Sequence, residues 1–287
     1  MELISVKKRV VISADSTCDL LPEMLERFDI KVIPLTVQLG EDVYLDGVSF
    51  TTDMLFDRYA KDKALPKTSA PSLQQYMDYF AQYVNEGCEV VHFSISSELS
   101  SAFQTATLAA EELGSVYTID SRELSNGIAL FAMEAADCRD KGMSAAEIVA
   151  HVMPMIGTED VSIIIDTLEF MWKGGRCSSV TALGANLLML KPAMEMRGGK
   201  LCIFKKYRGK LSSAYTQYIQ ERLSGKHIRN GYVFLTQSGG IDEALIAELD
   251  KLIYSVSDKV EILHSRTGCT VSSHCGPRTL GLGFFTE

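Results

Sequence analysis

Short clusters of hydroxyl and carboxyl side chains stand where predicted strands end and helices begin. They are Asp15-Ser16-Thr17, Thr68-Ser69, Ser96-Ser97 with Ser100-Ser101, and Asp120-Ser121. In an open α/β sheet such loops share one edge, and ligands bind at that edge. A hydroxyl beside a helix N-terminus, with free backbone N–H groups and the positive end of the helix dipole, suits an anion such as a carboxylate. Ser and Thr are also the preferred N-caps, so helix capping alone is the alternative interpretation.

Sequence signatures of common enzymes are mostly missing. The chain has no G-x-x-x-x-G-K-[ST] loop, no G-x-S-x-G nucleophile elbow and no H-E-x-x-H, and its five histidines are scattered without metal-ligand spacing. Asp15 follows a predicted strand as a phosphatase nucleophile would, but that chemistry requires a second Asp two residues on, where Thr17 stands. The case for an enzyme is therefore weak, and no motif indicates a metal or a cofactor. The alternative is a hydrolase or phosphatase that uses strand-end Ser or Asp side chains with His274.

Apolar periodicity indicates which elements would position these clusters. Short β-branched runs alternate with amphipathic segments, which is typical of an α/β protein with mostly parallel strands and right-handed crossovers. The sequence predicts strands at residues 10–14, 31–39, 88–94, 116–120, 161–166, 232–235 and 260–264, and a hairpin at 195–208. It predicts helices at residues 21–28, 52–61, 74–85, 126–141, 168–172, 181–190, 211–223 and 242–253, with Thr52 as an N-cap and capping boxes at 72–75 and 144–147. It also predicts a helix of small residues that follows Ser100 and ends at Gly114, and a helix from the second capping box to about Ile156.

The pattern changes after Asp166, where we place a domain boundary. Residues 1–166 are predicted to form an N-terminal α/β domain with a mostly parallel sheet, flanking helices and the carboxylate-binding loops. Residues 167–287 are predicted to form a smaller C-terminal α/β domain. No stretch rich in Pro, Gly and Ser marks a flexible linker between the two.

Composition excludes several classes of protein. The 287 residues are 46% hydrophobic, so the chain can bury a sizeable core. Its net charge of −9 disfavours a nucleic-acid binder, and its longest uncharged run, 14 residues, is too short to span a membrane. The charge is uneven: residues 1–143 carry 12 basic and 23 acidic side chains, and the remainder carries 16 and 14. Seven scattered cysteines and no apparent signal peptide indicate free thiols in a cytoplasmic protein.

Seven short motifs, in order along the chain, resemble the DegV family of bacterial fatty-acid-binding proteins, which includes the lipid-carrying B subunit of fatty acid kinase. The motifs are Asp15-Ser16-x-x-Asp19, Ile33-Pro34-Leu35, Thr68-Ser69-Ala70-Pro71-Ser72, Ser96-Ser97-Glu98-Leu99-Ser100, Asp120-Ser121, Gly174-Gly175-Arg176 and His274-Cys275-Gly276-Pro277. Together they extend from about Val10 to the end of the chain.

The resemblance implies a two-domain protein of the EDD fold that holds one long-chain fatty acid, such as palmitate, stearate or oleate, between its domains. It implies that Thr68 and Ser100 bind the carboxylate, and that Arg176 and His274 lie near the head group and take part in handing the acid to a kinase. In the family a separate ATP-dependent kinase subunit makes the acyl phosphate. The family protein itself phosphorylates nothing.

Two positions depart from the family pattern. Ser101-Ala102 stands where the family usually has Gly-Thr, which removes backbone freedom at that turn. Arg278 stands where Gly usually follows the H-x-G-P motif, and a non-Gly residue adopts a positive φ only at a cost, so we expect a different loop near His274.

An acyl chain requires a dry tunnel and a protein surface from which it can be delivered. Each buried CH₂ contributes about 0.8 kcal/mol, so a chain of 16–18 carbons would supply roughly 10 kcal/mol before ordering costs. The apolar segments 163–165, 170–172 and 183–189 are candidates for the lining, with ordinary core as the alternative. Residues 191–210 carry seven Lys or Arg against one Glu, which indicates either a solvated hairpin face or a docking surface for an acidic partner or an anionic membrane.

Overall fold

A computed structural model describes residues 8–176 and 190–287, which form three β-sheets covered and separated by helices. The first part of the chain contains β1 (Val10–Asp15), α1 (Pro22–Phe28), β2 (Ile30–Ile33), β3 (Thr36–Leu39), β4 (Asp42–Leu45), α2 (Thr52–Asp62), β5 (Lys67–Ser69), α3 (Leu73–Val84), β6 (Glu89–Ser94), α4 (Ala102–Leu113), β7 (Val116–Asp120), α5 (Asn126–Asp140) and α6 (Ala145–Val152). The second contains β8 (Glu159–Ile164), α7 (Glu169–Gly174), β9 (Leu190–Arg197), β10 (Lys200–Arg208), α8 (Leu211–Leu223), β11 (Ile228–Gln237), α9 (Glu243–Val256), β12 (Val260–Arg266), α10 (Cys269–Cys275) and β13 (Leu280–Thr286). Short 3₁₀ turns follow β1 and α6.

The first sheet is fully parallel, in the order β2-β1-β6-β7. Alternate side chains of its strands face opposite layers of helices, as the two-residue period of a strand dictates. Val11 and Val90 pack against α3 and α4, whereas Ile12 and Val91 lie in the core that contains α5. The α/β class with a parallel sheet, predicted from the strand–helix alternation, is therefore confirmed.

The largest sheet is mixed and has six strands in the order β10-β9-β8-β13-β11-β12. Helices α8 and α9 cover one of its faces, and α5 packs against the other, where β8, β13 and β11 contact it. Helix α5 therefore lies between the parallel and the mixed sheets and is buried along nearly its whole length. This position explains why residues 127–133 of α5 are apolar on every side of the helix.

The sheets divide between β7 and β8. Strand β8 ends just before the predicted boundary at Asp166, but it pairs with β9 and β13 of the mixed sheet. The mixed sheet is consequently larger than the parallel one, although the part of the chain from Glu159 onward is shorter than the part before it. We propose that the boundary between the two predicted domains lies before Glu159, because β8 pairs with strands of the mixed sheet.

Several elements differ from the sequence prediction for identifiable reasons. The strand predicted at 31–39 is interrupted at Pro34, which has no N–H to donate, so β2 joins the parallel sheet and β3 joins a separate antiparallel sheet, β4-β3-β5. Strands β4 and β5 were not predicted. Thr51, and not Thr52, caps α2, and the Thr52 hydroxyl donates to the carbonyl of Thr267 instead. Both capping boxes and the hairpin turn at Gly198-Gly199 are confirmed.

Parts of the prediction lie beyond the described ranges or at the C-terminal end. The helix predicted at 181–190 and the candidate lining at 183–189 fall outside the described residues. Helix α10 and strand β13 were not predicted from the sequence. Within residues 8–176 and 190–287, no helix combines the length and the apolar character needed to cross a membrane. The six cysteines in these ranges are all free thiols, and five are buried, as the sequence predicts.

Candidate functional site

A cavity of about 270 Å³ lies between the parallel and mixed sheets and is the centre of the candidate site. Its apolar lining comes from the loops after β2, β5, β6 and β7, from β8 and β10 of the mixed sheet, and from α7 and α10: Leu35, Ala70, Ile95, Leu99, Leu124, Ile163, Met171, Leu201, Val271 and Cys275. Polar side chains also line it: Thr68, Ser69, Ser100, Ser101, Ser125, Asn126, Arg176, Thr236, Thr267, Thr270, His274 and Thr279. Of the segments predicted as lining, Ile163 and Met171 contribute, whereas Trp172 is exposed to solvent.

Thr68 and His274 form one hydrogen-bonded pair at this cavity. The Thr68 hydroxyl oxygen lies 2.9 Å from His274 Nε2. Thr68 belongs to β5, opposite Val37 of β3, and His274 lies in the last turn of α10. The sequence placed Thr68 in a loop at the edge of the parallel sheet. The structure instead places it within a strand of the small antiparallel sheet.

The His274 ring is held in a confined, largely desolvated position. Its Nδ1 is buried and has no hydrogen-bond partner among the residues that the structure describes. A Cβ atom on Gly174 would overlap Nδ1, so only glycine permits this close approach of the α7 backbone to the ring. Burial, together with the positive charge of Arg176, lowers the pKa of His274 to about 4. The imidazole is therefore neutral at pH 7, and only one of its nitrogens carries a proton.

Arg176 reaches the cavity from the end of α7. Gly175 adopts a φ of +68° and ends the helix, and the Arg176 guanidinium then donates to the carbonyl of Gly174 at 2.8 Å. The side chain is otherwise exposed. This arrangement leaves a charged fork beside His274, at a position that solvent can reach.

Ser100 lies in the loop between β6 and α4. Its hydroxyl accepts a hydrogen bond from the backbone N–H of Ala102 at 3.2 Å, at the start of α4, and the residue lines the cavity. The four residues predicted for the site, Thr68, Ser100, Arg176 and His274, thus come from four separate segments and line one cavity. Their roles toward a ligand stay predictions.

Two buried carboxylates hold the N-terminus of the helix that carries His274. Asp46 accepts a hydrogen bond from the N–H of Cys269, and Asp19 accepts one from the N–H of Gly268, both at 2.7 Å. These N–H groups are among those that a helix leaves unpaired at its start. Asp19, the second Asp of the Asp15-Ser16-x-x-Asp19 motif, therefore stabilises the start of this helix. Asp46 was not singled out by sequence reasoning, because no local motif surrounds it.

Asp15 does not face the cavity. One of its oxygens accepts from the Thr17 N–H and hydroxyl, and the other accepts from the N–H of Ile95 at 2.9 Å. Burial raises the pKa of Asp15 to about 6, and it also raises the pKa values of Asp19 and Asp46. The three carboxyl groups repel one another, which adds to the shift of Asp15 and of Asp19.

Both departures from the expected sequence pattern are accommodated. Ser101 has a φ of −82°, an ordinary value that does not require glycine. Arg278 adopts a positive φ, +58°, the conformation that glycine adopts most readily. Its backbone is held on both sides, because its N–H donates to Gly239 and its carbonyl accepts from the Tyr215 hydroxyl.

The basic segment 191–210 forms the β9–β10 hairpin, and several of its charges are paired. Lys191 pairs with Asp166, Lys200 with Glu98, and Lys205 with Glu221. Lys206 and Arg208 are exposed, and no ion pair to either is found within the described ranges. They are two positions apart on β10, so their side chains point to the same side of the strand.

One group of possible metal ligands lies away from the cavity. Ligand atoms of Glu134, Cys138 and His151 lie within 4.8 Å of one another. Both oxygens of Glu134 already have partners: one pairs with His151 at 2.8 Å and the other with Arg229 at 2.6 Å. The arginine places a positive charge beside the group, and we assign no metal to it.

Comparison of the sequence with protein-family models gives a match over residues 9–287 to a model described as an uncharacterised protein of the DegV family. A DegV domain-containing protein of Deinococcus radiodurans is 31% identical, with 95% of this chain and 97% of that protein covered. A DegV domain-containing protein of Clostridium perfringens is 29% identical, with 97% and 99% covered.

Solved structures with the same fold include two described by their ligand. A DegV family protein from Thermus thermophilus, described as fatty-acid binding, superposes with a TM-score of 0.85 at 27% identity and covers 97% of this chain and 100% of its own. A protein from Eubacterium ventriosum, described as binding stearic acid, gives a TM-score of 0.83 at 26% identity, with 97% and 98% covered.

Proposed function

The chain belongs to the DegV family, and from that membership we propose that it binds one long-chain fatty acid in the cavity between its two domains. The observation that carries the proposal is the convergence of four polar side chains, Thr68, Ser100, Arg176 and His274, on one cavity with an otherwise largely apolar wall. The polar side chains would bind the carboxylate, and the wall would bury a chain such as that of palmitate, stearate or oleate.

The head group would be held by hydroxyls and not by a permanent ion pair. Thr68 and Ser100 would each donate an O–H to the carboxylate, and the start of α4 beside Ser100 favours negative charge. Thr68 can donate only if His274 Nε2 carries the ring proton and donates to the Thr68 oxygen. An oxygen held in this way keeps more of its nucleophilicity than one in a salt bridge.

The tail would supply most of the affinity. At about 0.8 kcal/mol per buried CH₂, a chain of 16–18 carbons gives roughly 10 kcal/mol, from which the ordering of the chain and of the cavity wall must be subtracted. Met171 is suited to such a wall, because its unbranched side chain adapts to the bends of an acyl chain.

We propose further that the protein presents the carboxylate to a separate ATP-dependent kinase subunit and catalyses nothing itself. Arg176 is exposed beside the head-group site, and a guanidinium binds phosphate oxygens in a two-pronged geometry. Lys206 and Arg208 offer unpaired positive charge for docking an acidic surface. The hydrolase alternative is not favoured, because Asp15 is buried and all its contacts are with neighbouring N–H and O–H groups.

The proposal is tested by incubating the lipid-loaded protein with ATP and a fatty acid kinase subunit from a bacterium that encodes DegV proteins. We expect acyl phosphate to form only when both proteins and ATP are present. Turnover of a generic ester or phosphate monoester by this chain alone would contradict the non-catalytic role.

A further inference from the structure

The turn of the β9–β10 hairpin contacts the loop that carries Ser100. This loop follows β6 of the parallel sheet, and the hairpin belongs to the mixed sheet, so the contact joins the two sheets. The hydroxyl of Ser96, which is fully buried, donates to the carbonyl of Gly199 at 2.7 Å. Two positions after Gly199, Leu201 lines the cavity. The hairpin therefore reaches both the cavity and the loop of Ser100.

The same serine holds the backbone turn that contains Ser100. The carbonyl oxygen of Ser96 accepts the N–H of Leu99 at 2.9 Å and the N–H of Ser100 at 3.2 Å. The Ser96 N–H donates to the carbonyl of Glu123 at 2.9 Å. Because the Ser96 hydroxyl is bonded to Gly199, a shift of the hairpin turn would reach Ser100 through two consecutive hydrogen bonds.

The hairpin turn approaches this loop too closely to leave room for a Cβ. Gly199 has a φ of +82°, and a Cβ there would lie 2.6 Å from Ser96 Oγ and 2.9 Å from Cζ of Arg122. Arg122 itself donates to the carbonyl of Gly198. Both carbonyl oxygens of the turn thus accept from side chains of the loops after β6 and β7. The contact is therefore specific in its geometry, and it depends on glycine at position 199.

We propose that the β9–β10 hairpin positions the Ser100 hydroxyl for the fatty-acid carboxylate, with Ser96 as the positioning residue. This inference rests on the proposed fatty-acid binding and adds a residue that does not touch the ligand. Ser96 is buried and does not line the cavity, so it acts through the turn that it holds. The other hydroxyl of the head-group site, that of Thr68, belongs to β5 and pairs with His274, so it does not depend on Ser96.

The test is a double-mutant cycle on stearate affinity, measured by titration of the delipidated protein. Ser96→Ala should weaken stearate binding about fivefold, because a displaced Ser100 hydroxyl keeps only part of its hydrogen bond to a charged group. In the Ser100→Ala background the same substitution should have no further effect, since the hydroxyl that it positions is gone. In the Thr68→Ala background it should still weaken binding about fivefold. A residue with only a structural role would weaken binding equally in all three backgrounds.

Gly199→Ala tests the same contact from the side of the hairpin. The added Cβ would displace the Ser96 hydroxyl, so stearate affinity should fall at least fivefold, and this loss should disappear in the Ser100→Ala background. Gly209→Ala is the matched control. Gly209 directly follows β10 and also has a positive φ, +103°, but a Cβ there meets no described atom within 4 Å beyond its chain neighbours. This variant should bind stearate with the wild-type affinity to within about twofold.

The outcomes separate this inference from the proposed function. If the wild type and Ser96→Ala bind stearate equally well, the positioning role is wrong and the carrier function stands. Equal losses in all three backgrounds would also overturn the positioning role, because they would show a general structural effect. If stearate does not bind the wild type, both the proposed function and the inference fail. If Ser96→Ala does not fold, Gly199→Ala in the same cycle decides, and a loss equal to that of Gly209→Ala contradicts the inference.

Discussion

The hydroxyl of Thr68 lies 2.9 Å from Nε2 of His274, although 206 positions separate the two residues in the chain. This contact joins a strand of the small antiparallel sheet to the helix that follows β12. If Nε2 carries the ring proton and donates to the Thr68 oxygen, the Thr68 hydroxyl is free to donate to a carboxylate.

Removing both hydroxyls should abolish fatty-acid binding without unfolding the protein. Thr68 and Ser100 are half-buried, and neither is part of a hydrophobic core cluster, so Thr68→Ala with Ser100→Ala should cost little stability. The carboxylate would lose two hydrogen bonds, each worth about 1.5–3 kcal/mol when the acceptor is charged, and affinity should fall by a factor of about one hundred or more. Isothermal titration with stearate measures the loss, and circular dichroism checks the fold. Undiminished affinity would contradict our assignment of the head-group site.

His274 should be neutral, and it should be protonated at Nε2 when a fatty acid is bound. Burial and the charge of Arg176 hold its pKa near 4, so NMR of histidine-labelled protein should show a neutral ring down to about pH 5. The Nε2–H form is the one in which Thr68 can donate to the ligand. A ring protonated only at Nδ1 in the lipid-bound protein would contradict the head-group geometry.

The low pKa of His274 also predicts a pH dependence of stability. Its pKa in the folded protein, about 4, lies below the ordinary value of 6.5, so the neutral ring contributes stability that is fully present above about pH 6.5. That contribution is lost as the pH falls toward 4. The unfolding free energy of the wild type, minus that of His274→Gln, should therefore decrease from pH 7 to pH 4. An increase of this quantity on acidification would contradict the depressed pKa.

Asp46 should stabilise the helix that carries His274. Asp46→Asn weakens the acceptor for the N–H of Cys269 and should reduce the unfolding free energy by about 1–2 kcal/mol, as for other helix N-terminal acceptors. The matched control is Asp53→Asn, which alters an exposed ion pair with Arg266 and should cost less than about 1 kcal/mol. Urea denaturation measures both. Equal losses in the two variants would show that Asp46 has no special role.

The unpaired charges of the β9–β10 hairpin should affect coupling to the kinase subunit but not lipid binding. Lys205 of this basic segment is paired with Glu221, so Lys206 and Arg208 are the better test. Lys206→Glu with Arg208→Glu should slow acyl phosphate formation by about tenfold or more at low salt, and less at high salt. Lys251→Glu with Lys259→Glu reverses two charges at exposed positions in and after α9 and serves as the control. Unchanged rates in the hairpin variant would exclude this surface.

The sequence predicted much of the parallel sheet, because its strands are short apolar runs separated by helical segments. It missed β13, the strand between β8 and β11, because Gly281 and Gly283 lower strand propensity. Those glycines make room for Asn126, a tertiary reason that no local pattern reveals. The second half of the long strand predicted at 31–39 belongs to the small antiparallel sheet and not to the parallel one. The sequence shows that Pro34 can interrupt a strand, but it does not show which strands the chain pairs with after the interruption.

Sequence reasoning found some residues that line the cavity or support it and missed others, for a physical reason. Thr68, Ser100, Arg176 and His274 lie in short motifs, so a sequence comparison finds them. Asp46 and Asn126 act through contacts with helices and strands far away in the chain, and nothing near them in the sequence indicates those contacts.

Native mass spectrometry of the purified protein tests the central claim most directly. We predict that the wild-type chain carries one additional mass equal to a long-chain fatty acid, or acquires it when stearate is offered, and that Thr68→Ala with Ser100→Ala does not. A wild-type chain that remains at its bare mass after stearate, palmitate and oleate have each been offered would contradict fatty-acid binding.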